Sequence, residues 1–208
     1  MKLYDDPMSG NGYKVRLLLS HLGLSYQYIP IDILRGESRT EAFLQKNLNG
    51  RIPVLELDDG SHLAESNAIL YFLSQGTEYW PAERYTQAQV MQWLFFEQYS
   101  HEPNIATPRF WLKTGILDDT PFNTELLTQK QRAGNQALAV MNQHLASHTF
   151  FVSERYSIAD IALYAYTHVA GEGGFELSQY PAVVAWLQRV REQPRHITID
   201  HWSAATPP

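Results

Sequence analysis

The hydrophobic pattern of this 208-residue chain changes in type near Thr86. Before that point short apolar runs alternate with amphipathic stretches, and after it apolar residues recur every three or four positions almost to the end. Alternating strand and helix signals are typical of a sheet covered by helices, whereas sustained helical periodicity is typical of a bundle. The sequence therefore predicts an α/β domain over residues 1–78, a linker over 79–85 and an all-helical domain over 86–208.

The first half of the chain predicts the element order β-α-β-α-β-β-α. "MKLYDD" and "SYQYIPID" have the composition of short strands, and the helical repeat between them ends at Gly23, so a βαβ unit with parallel strands is expected. The runs Val54 to Leu57 and Ser61 to Ala64 flank an Asp-Asp-Gly turn. They predict an antiparallel hairpin that is followed by a helix from Ser66 to Leu73.

In the second half of the chain, three local sequence features predict where helices begin, bend or break. A long helix that opens near Val90 is expected to bend or break between Pro103 and Pro108, because an interior proline removes a hydrogen bond and clashes with the preceding turn. Ser157 and Asp160 have the spacing of a capping box before a strongly apolar helix. A proline opens the last helical pattern, where the first turn tolerates it.

Charge and composition exclude several classes of protein. The 16 Lys and Arg residues are outnumbered by 22 Asp and Glu, and the net charge of −6 gives no source for nucleic-acid affinity. No apolar run approaches the roughly 18 residues of a membrane span, and "MKLYDDPMSG" lacks a signal core, so a cytoplasmic protein without a membrane partner is expected. The absence of cysteine excludes disulfides, zinc-thiolate sites and a protein-borne thiol.

Four segments, in order and at their spacing, resemble the glutathione transferase family over nearly the whole chain: "SGNGYKVRLLL", "NGRIPVLELDDG", "LAESNAIL" and "SIADIALYAY". The resemblance implies a thioredoxin-like domain followed by a helical domain, glutathione as co-substrate, no other cofactor or metal, and a homodimer. Ser9-Gly10-Asn11-Gly12 stands where thioredoxins carry Cys-x-x-Cys. The thiol would therefore come from glutathione.

The resemblance assigns the glutamyl end of glutathione to Glu65 and Ser66. A helix start with a hydroxyl side chain suits the carboxylate, and an acidic side chain suits the ammonium group. From the dipeptide alone, helix capping is the more common role of such residues, and the family resemblance is what favours ligand binding.

The middle and glycyl parts of glutathione are assigned to the segment around Pro53. A trans X-Pro bond at a strand edge is the default, but the resemblance implies a cis bond, with the backbone of Ile52 pairing with the cysteinyl backbone of the ligand. Arg51 and Arg35 are the candidate cations for the glycyl carboxylate. Solvated surface charge is the alternative role for both arginines.

Thiol activation requires donors that favour the thiolate over a thiol whose ordinary pKa is about 8.5. Ser9 and Asn11, at the expected start of the first helix, are the first candidates, and Tyr4, which matches the tyrosine of some family branches, is the third. Without the other motifs, Ser9 and Asn11 are equally explained as cap and turn residues.

The second substrate is less constrained. Tyr99, Arg109 and Trp111 are the candidate pocket residues, although aromatic side chains at this density more often belong to a core. His101 and, at a greater distance, Arg132 are weaker candidates.

Three activities remain open from the sequence. The first is attack of the thiolate on a small carbon electrophile, the family's default. The second is reduction of a small disulfide, implied by the similarity of "SGNGYK" to the Ser/Thr-x-Asn-Gly pattern of nu-class bacterial members. The third is a binding or assembly module that has lost catalysis.

Overall fold

The computed structural model describes residues 1–202, which divide into two compact units. The first unit combines residues 1–77 with 194–202, and the second spans residues 78–193. The elements of the first unit are β1 (Lys2–Asp5), α1 (Gly10–Leu22), β2 (Gln27–Pro30), α2 (Glu41–Leu44), β3 (Val54–Glu56), β4 (His62–Ala64) and α3 (Ser66–Ser74). The predicted order and the α/β class of this unit are confirmed.

The four strands form one mixed sheet in the order β2-β1-β3-β4. Leu3 of β1 lies opposite Tyr28 in the parallel pair with β2 and opposite Leu55 in the antiparallel pair with β3. Leu55 in turn faces Leu63 of β4, also antiparallel. Both the parallel βαβ unit and the hairpin are therefore confirmed, and Gly23 ends α1 with a φ of 65°.

Neighbouring residues of a strand point to opposite faces of the sheet, so each face has its own apolar contacts. One face packs against α1 and α3 through a cluster of buried aliphatic side chains: Leu3, Val15, Leu19, Leu55 and Ile69. The other face packs against α2 through Tyr4, Phe43 and Val54. Because α1 and α3 share a face, the sheet holds their first turns close together.

The C-terminal segment does not belong to the helical half to which the sequence assigned it. Residues 194–202 are grouped with the first unit, and residues 203–208 of the predicted helical domain lie outside the described residues. Polar side chains of α1 hold the main chain of this segment. Tyr13 donates to the Ile197 carbonyl over 2.6 Å, and Arg16 donates to the Ile199 carbonyl over 2.7 Å. Main-chain acceptors carry no sequence signal, which is why periodicity missed this attachment.

The second unit is helical, as predicted. Its elements are α4 (Arg84–Phe96), a π-helical turn (Glu97–His101), α5 (Glu102–Thr114), α6 (Pro121–Leu145), α7 (Ile158–Thr167) and α8 (Pro181–Arg191). Short 3₁₀ turns lie between α7 and α8. No helix among residues 1–202 has the length and apolar character needed to cross a bilayer.

Of the bend or break expected between Pro103 and Pro108, the break is absent, because one helix runs through both prolines. Both prolines lie within α5, and the irregular turn precedes them, where the Glu102 N–H donates to the Glu97 carbonyl. Pro103 occupies the first turn of α5, where a backbone N–H is not required. The helical path is therefore continuous from α4 into α5. Its irregular part is the π-helical turn Glu97–His101, which lies before both prolines.

The start of α7 confirms the capping box. The Asp160 carboxylate accepts from the Ser157 N–H over 3.0 Å, and the Ser157 side chain caps the helix. The same carboxylate also accepts from the Phe151 N–H over 3.1 Å and from Trp186 Nε1 over 3.0 Å. Asp160 therefore joins α7 to the preceding loop and to α8 inside the core of the second unit.

Candidate functional site

The first turn of α1 begins at Ser9. Its hydroxyl oxygen accepts from the Gly12 N–H over 3.1 Å, so Ser9 is the N-cap of the helix. A hydroxyl that accepts one hydrogen bond still has its own O–H to donate. Capping and donation to a ligand at the helix start are therefore compatible roles for Ser9.

Gly12 allows this turn to pack closely on the sheet. A Cβ atom at this position would lie 1.6 Å from Asp5 Oδ1, so no larger residue fits without displacing the carboxylate. Asp5 is held in turn by Arg16 over 3.0 Å, and both side chains are fully buried. Burial raises the pKa of Asp5 to about 7, and the Arg16 charge opposes that rise. The pair anchors the start of α1 to the end of β1.

The first turn of α3 begins after a strained residue. Glu65 has a φ of 68°, a region that costs a non-glycine residue about 1–3 kcal/mol. Its side chain makes no capping hydrogen bond to the helix. Ser66, the first residue of α3, is buried. The Glu65 side chain therefore does not act as the cap of α3.

Hydrogen bonds connect the starts of α1 and α3. The Ser66 hydroxyl donates to Asn11 Oδ1 over 3.2 Å. Lys14, fully buried in α1, lies with its Nζ 3.3 Å from Ser66 Oγ and 3.4 Å from Asn67 Oδ1. The structure thus brings together Ser66 and Asn11, which the sequence assigned to opposite ends of one ligand. Lys14 was missed, because a lysine in an amphipathic helical pattern is ordinarily exposed.

The segment before β3 carries the predicted proline. The Ile52–Pro53 peptide bond is cis, and the Ile52 side chain packs against the cluster of Tyr4, Phe43 and Val54. Val54 follows immediately as the first residue of β3.

The two candidate arginines are both exposed. Arg35 lies 3.4 Å from Asp32 in an ion pair, and the Arg51 carbonyl accepts from Asn47 Nδ2 over 2.8 Å. Neither arginine has a recorded contact with Asn11 or Ser66 within the described residues, so the structure does not place either of them in that cluster.

Tyr4 faces away from the starts of α1 and α3. It lies on the α2 side of the sheet, where its hydroxyl donates to Glu56 over 2.5 Å. Burial, followed by the hydrogen bond and the charge of Glu56, raises the pKa of Tyr4 to about 12. Tyr4 is therefore committed to a structural contact with Glu56 on the face of the sheet opposite α1 and α3.

The partners of Glu56 make the first unit sensitive to acid. Hydrogen bonds from Lys2 and then Tyr4 lower the pKa of Glu56 from 4.5 to about 2. A carboxyl whose pKa falls on folding contributes stability above about pH 4.5 and loses it as the pH falls toward 2. We expect the melting temperature of Glu56→Gln to fall less steeply than that of the wild type over this range. Glu125→Gln, at an exposed site, is the control, and parallel wild-type and Glu56→Gln curves would contradict the assignment.

The candidate residues for a second substrate lie in the helical unit in different environments. Tyr99 is 87% exposed in the π-helical turn, whereas Arg109 is buried and pairs with Glu172 over 2.8 Å. Trp111 is partly buried on α5. His101 is buried, with Nε2 2.8 Å from Thr167 Oγ1. Arg109 and His101 therefore have protein partners, and Tyr99 is open to solvent.

No group of three or more His, Asp or Glu side chains within residues 1–202 is arranged to hold a metal ion. The chemistry of the α1–α3 cluster is instead that of an anion receptor. Two helix starts supply N–H groups and partial positive charge, and hydroxyl, carboxamide and ammonium groups lie beside them. A carboxylate or a thiolate is the kind of group that such an arrangement stabilises.

Two family models match the chain. The model described as the N-terminal domain of glutathione S-transferase matches residues 1–75, and the model described as its C-terminal domain matches residues 92–194. Among solved structures, a glutathione S-transferase from Pseudomonas fluorescens is 53% identical with a TM-score of 0.91, covering 95% of this chain and 98% of that one.

Curated relatives carry more varied names. The disulfide-bond oxidoreductase YfcG of Escherichia coli is 29% identical, with 88% of this chain and 87% of the relative covered. Elongation factor 1-gamma of Danio rerio is 32% identical over 95% of this chain, but the chain spans only 45% of that relative's length. The similarity to the elongation factor therefore concerns one part of a longer protein.

Proposed function

Because the chain belongs to the glutathione S-transferase family, whose enzymes use glutathione as a substrate, we propose that it binds glutathione at the starts of α1 and α3. In this proposal it activates the glutathione thiol as a nucleophile for small electrophiles. The observation that carries the proposal is the 3.2 Å hydrogen bond from Ser66 to Asn11. It joins the proposed carboxylate site to the proposed sulfur site across one sheet face.

The glutamyl group of glutathione carries a carboxylate and an ammonium group on one carbon. We assign the carboxylate to Ser66 and the first turn of α3, where N–H groups and the helix dipole favour an anion. We assign the ammonium group to Glu65, whose side chain makes no capping bond to α3. The strained backbone of Glu65 supports this assignment, because outliers of this kind concentrate at ligand sites.

We assign the sulfur to Ser9 and Asn11. The start of α1 favours a thiolate over a thiol, and each donor that reaches the sulfur lowers its pKa further. Ser9 retains its O–H while capping α1, and Asn11 presents its carboxamide oxygen to Ser66. The sulfur, once ionised, attacks an electrophilic carbon and expels a leaving group, and the thiol proton is released to solvent.

We assign the central and glycyl parts of glutathione to the segment before β3. The Ile52 main chain would pair with the cysteinyl backbone, and Arg51 or Arg35 would attract the glycyl carboxylate. The ion pair of Arg35 with Asp32 and the exposure of both arginines reduce the energy available from either contact. Tyr99, Arg109 and Trp111 remain our proposed contacts for the second substrate, and a homodimer remains our proposed assembly.

Disulfide reduction is the second candidate, since one relative is named a disulfide-bond oxidoreductase and the "SGNGYK" segment resembles nu-class members. The chain has no cysteine, so the enzyme cannot form a mixed disulfide itself. Glutathione thiolate would attack one sulfur of a small disulfide and form a glutathione mixed disulfide, and the other sulfur would leave as a thiolate. The same glutathione site serves both reactions.

Parallel assays with a chloronitrobenzene electrophile and a hydroxyalkyl disulfide separate the two reactions. We expect glutathione-dependent turnover of both substrates, with conjugation dominant, and a loss of roughly tenfold or more in Asn11→Ala, because one hydrogen bond to a charge contributes about 1.5–3 kcal/mol. The control is Asn49→Ala, at an exposed asparagine of the same unit. Turnover of the disulfide alone would reverse the ranking. Glutathione binding without any turnover would favour a binding module.

A further inference from the structure

Lys14 is a fully buried cation beside the proposed glutathione site. It lies in the second turn of α1, and its Nζ is 3.3 Å from Ser66 Oγ and 3.4 Å from Asn67 Oδ1 at the start of α3. Burying an ammonium group costs free energy unless hydrogen bonds and charge compensate for it. A lysine placed there affects the hydrogen bonding of its polar neighbours.

The direction of each hydrogen bond follows from the chemistry of the groups. An ammonium group only donates, so Ser66 Oγ accepts from Lys14. The single proton of the Ser66 hydroxyl is then directed to Asn11 Oδ1, 3.2 Å away. A carboxamide whose oxygen faces Ser66 has its N–H donors turned away from Ser66. A cation beside Ser66 repels the N–H end of a carboxamide and attracts its oxygen, so the Lys14 charge favours the orientation in which the Asn11 oxygen faces α3.

We propose that Lys14 is a positioning residue for the sulfur end of the glutathione site, acting through Ser66 to hold the Asn11 carboxamide with its N–H donors toward the thiol. The inference rests on the proposed function, because it places the thiol beside Asn11. Without the Lys14 charge, the alternative in which the Asn11 amide donates to the Ser66 oxygen is no longer opposed by a neighbouring cation. A flipped carboxamide presents its oxygen to the sulfur and disfavours the thiolate.

The coupling predicts that residues at the glutamyl end alter the chemistry at the sulfur end. We expect Lys14→Met, which keeps the length of the side chain and removes its charge and donors, to raise the pKa of bound glutathione thiol. The thiolate fraction near neutral pH should fall about tenfold, the equivalent of one pKa unit. Titration of the ultraviolet absorbance of the thiolate at saturating glutathione measures it. Lys2→Met, which removes a cation on the sheet, is the matched control and should leave the titration unchanged.

A double-mutant cycle separates positioning from direct electrostatic action on the sulfur. If Lys14 acts through Asn11, Lys14→Met should cause no further loss of thiolate in an Asn11→Ala background. Full additivity of the two changes would overturn the proposal, because it would mean that the Lys14 charge acts on the sulfur directly. Lys14→Arg keeps the charge and the donors, and it should recover part of the thiolate.

Ser66→Ala tests the same coupling without removing a buried charge. Ser66 does not contact the sulfur in the proposed site, yet its loss should also raise the thiol pKa of saturating glutathione. An unchanged titration in Ser66→Ala overturns the inference even where Lys14→Met fails to fold. A wild type that binds no glutathione in calorimetry overturns the proposed function itself. A wild type that binds glutathione and lowers its thiol pKa, beside variants that leave this pKa unchanged, overturns only the role of Lys14.

Discussion

Substitution of Asp160 by alanine is expected to destabilise the protein by at least about 3 kcal/mol, a large fraction of the roughly 5–15 kcal/mol by which a typical native protein is stable. Burial raises the pKa of Asp160 to about 6, and hydrogen bonds from Phe151, Trp186 and Ser157 oppose that rise because they favour the carboxylate. Its removal leaves the N–H groups of Phe151 and Ser157 and the indole N–H of Trp186 without this acceptor. Each buried donor that loses its acceptor costs about 1–3 kcal/mol.

Urea unfolding followed by circular dichroism measures this loss. Asp119→Ala removes an exposed carboxyl from the same unit and should leave the midpoint nearly unchanged. Ser157→Ala removes the capping hydroxyl and should cost about 1 kcal/mol. A loss in Asp160→Ala no larger than in Ser157→Ala would mean that Asp160 acts only as a helix cap, contrary to its contacts with Phe151 and Trp186.

Substitution of Ser66 by alanine is expected to raise the dissociation constant of glutathione at least tenfold. The change removes the hydroxyl that accepts from Lys14 and donates to Asn11 beside the proposed position of the ligand carboxylate. A hydrogen bond that involves a charged group contributes about 1.5–3 kcal/mol, and its loss disturbs the start of α3 where the carboxylate would bind. Ser9→Ala, at the sulfur end, should weaken binding far less.

Isothermal titration calorimetry measures both affinities. Ser74→Ala makes the same chemical change at the opposite end of α3, where the hydroxyl donates to the Tyr71 carbonyl, and it should bind glutathione as the wild type does. Equal affinities in Ser66→Ala and Ser74→Ala would remove the glutamyl carboxylate from the start of α3. The proposed function would then need a different binding site.

Local chemistry explains the parts of the fold that were predictable. Gly23 in the left-handed region, the Asp-Asp-Gly turn before Ser61 and the capping box of Ser157 with Asp160 act over a few residues each. Caps and turns are formed by residues a few positions apart in the chain, so they can be predicted from the sequence without knowledge of tertiary contacts. The prolines of α5 were misread: Pro103 lies in the first turn, where no backbone N–H is required, and the helix continues through Pro108 in its interior.

Contacts between distant segments explain what the sequence did not reveal. Residues 194–202 bind α1 through their carbonyl groups, which every residue possesses, so no side-chain pattern marks them. Tyr4 matched the position of a thiol donor in the chain, but the pleat of β1 turns it to the face opposite α1 and toward Glu56.

In the candidate site, too, the sequence indicated the residues and the tertiary structure set the contacts between them. Ser9, Asn11, Glu65 and Ser66 were assigned through the family resemblance of their segments, since capping alone would also account for such residues at two helix starts. The contact between Asn11 and Ser66 joins residues 55 positions apart, and it depends on the rotation of α1 and α3 about their axes against the sheet. Packing of the apolar faces sets that rotation, and the same rotation buries Lys14 beneath Ser66, where a hydrophilic residue in a helical pattern would ordinarily be exposed.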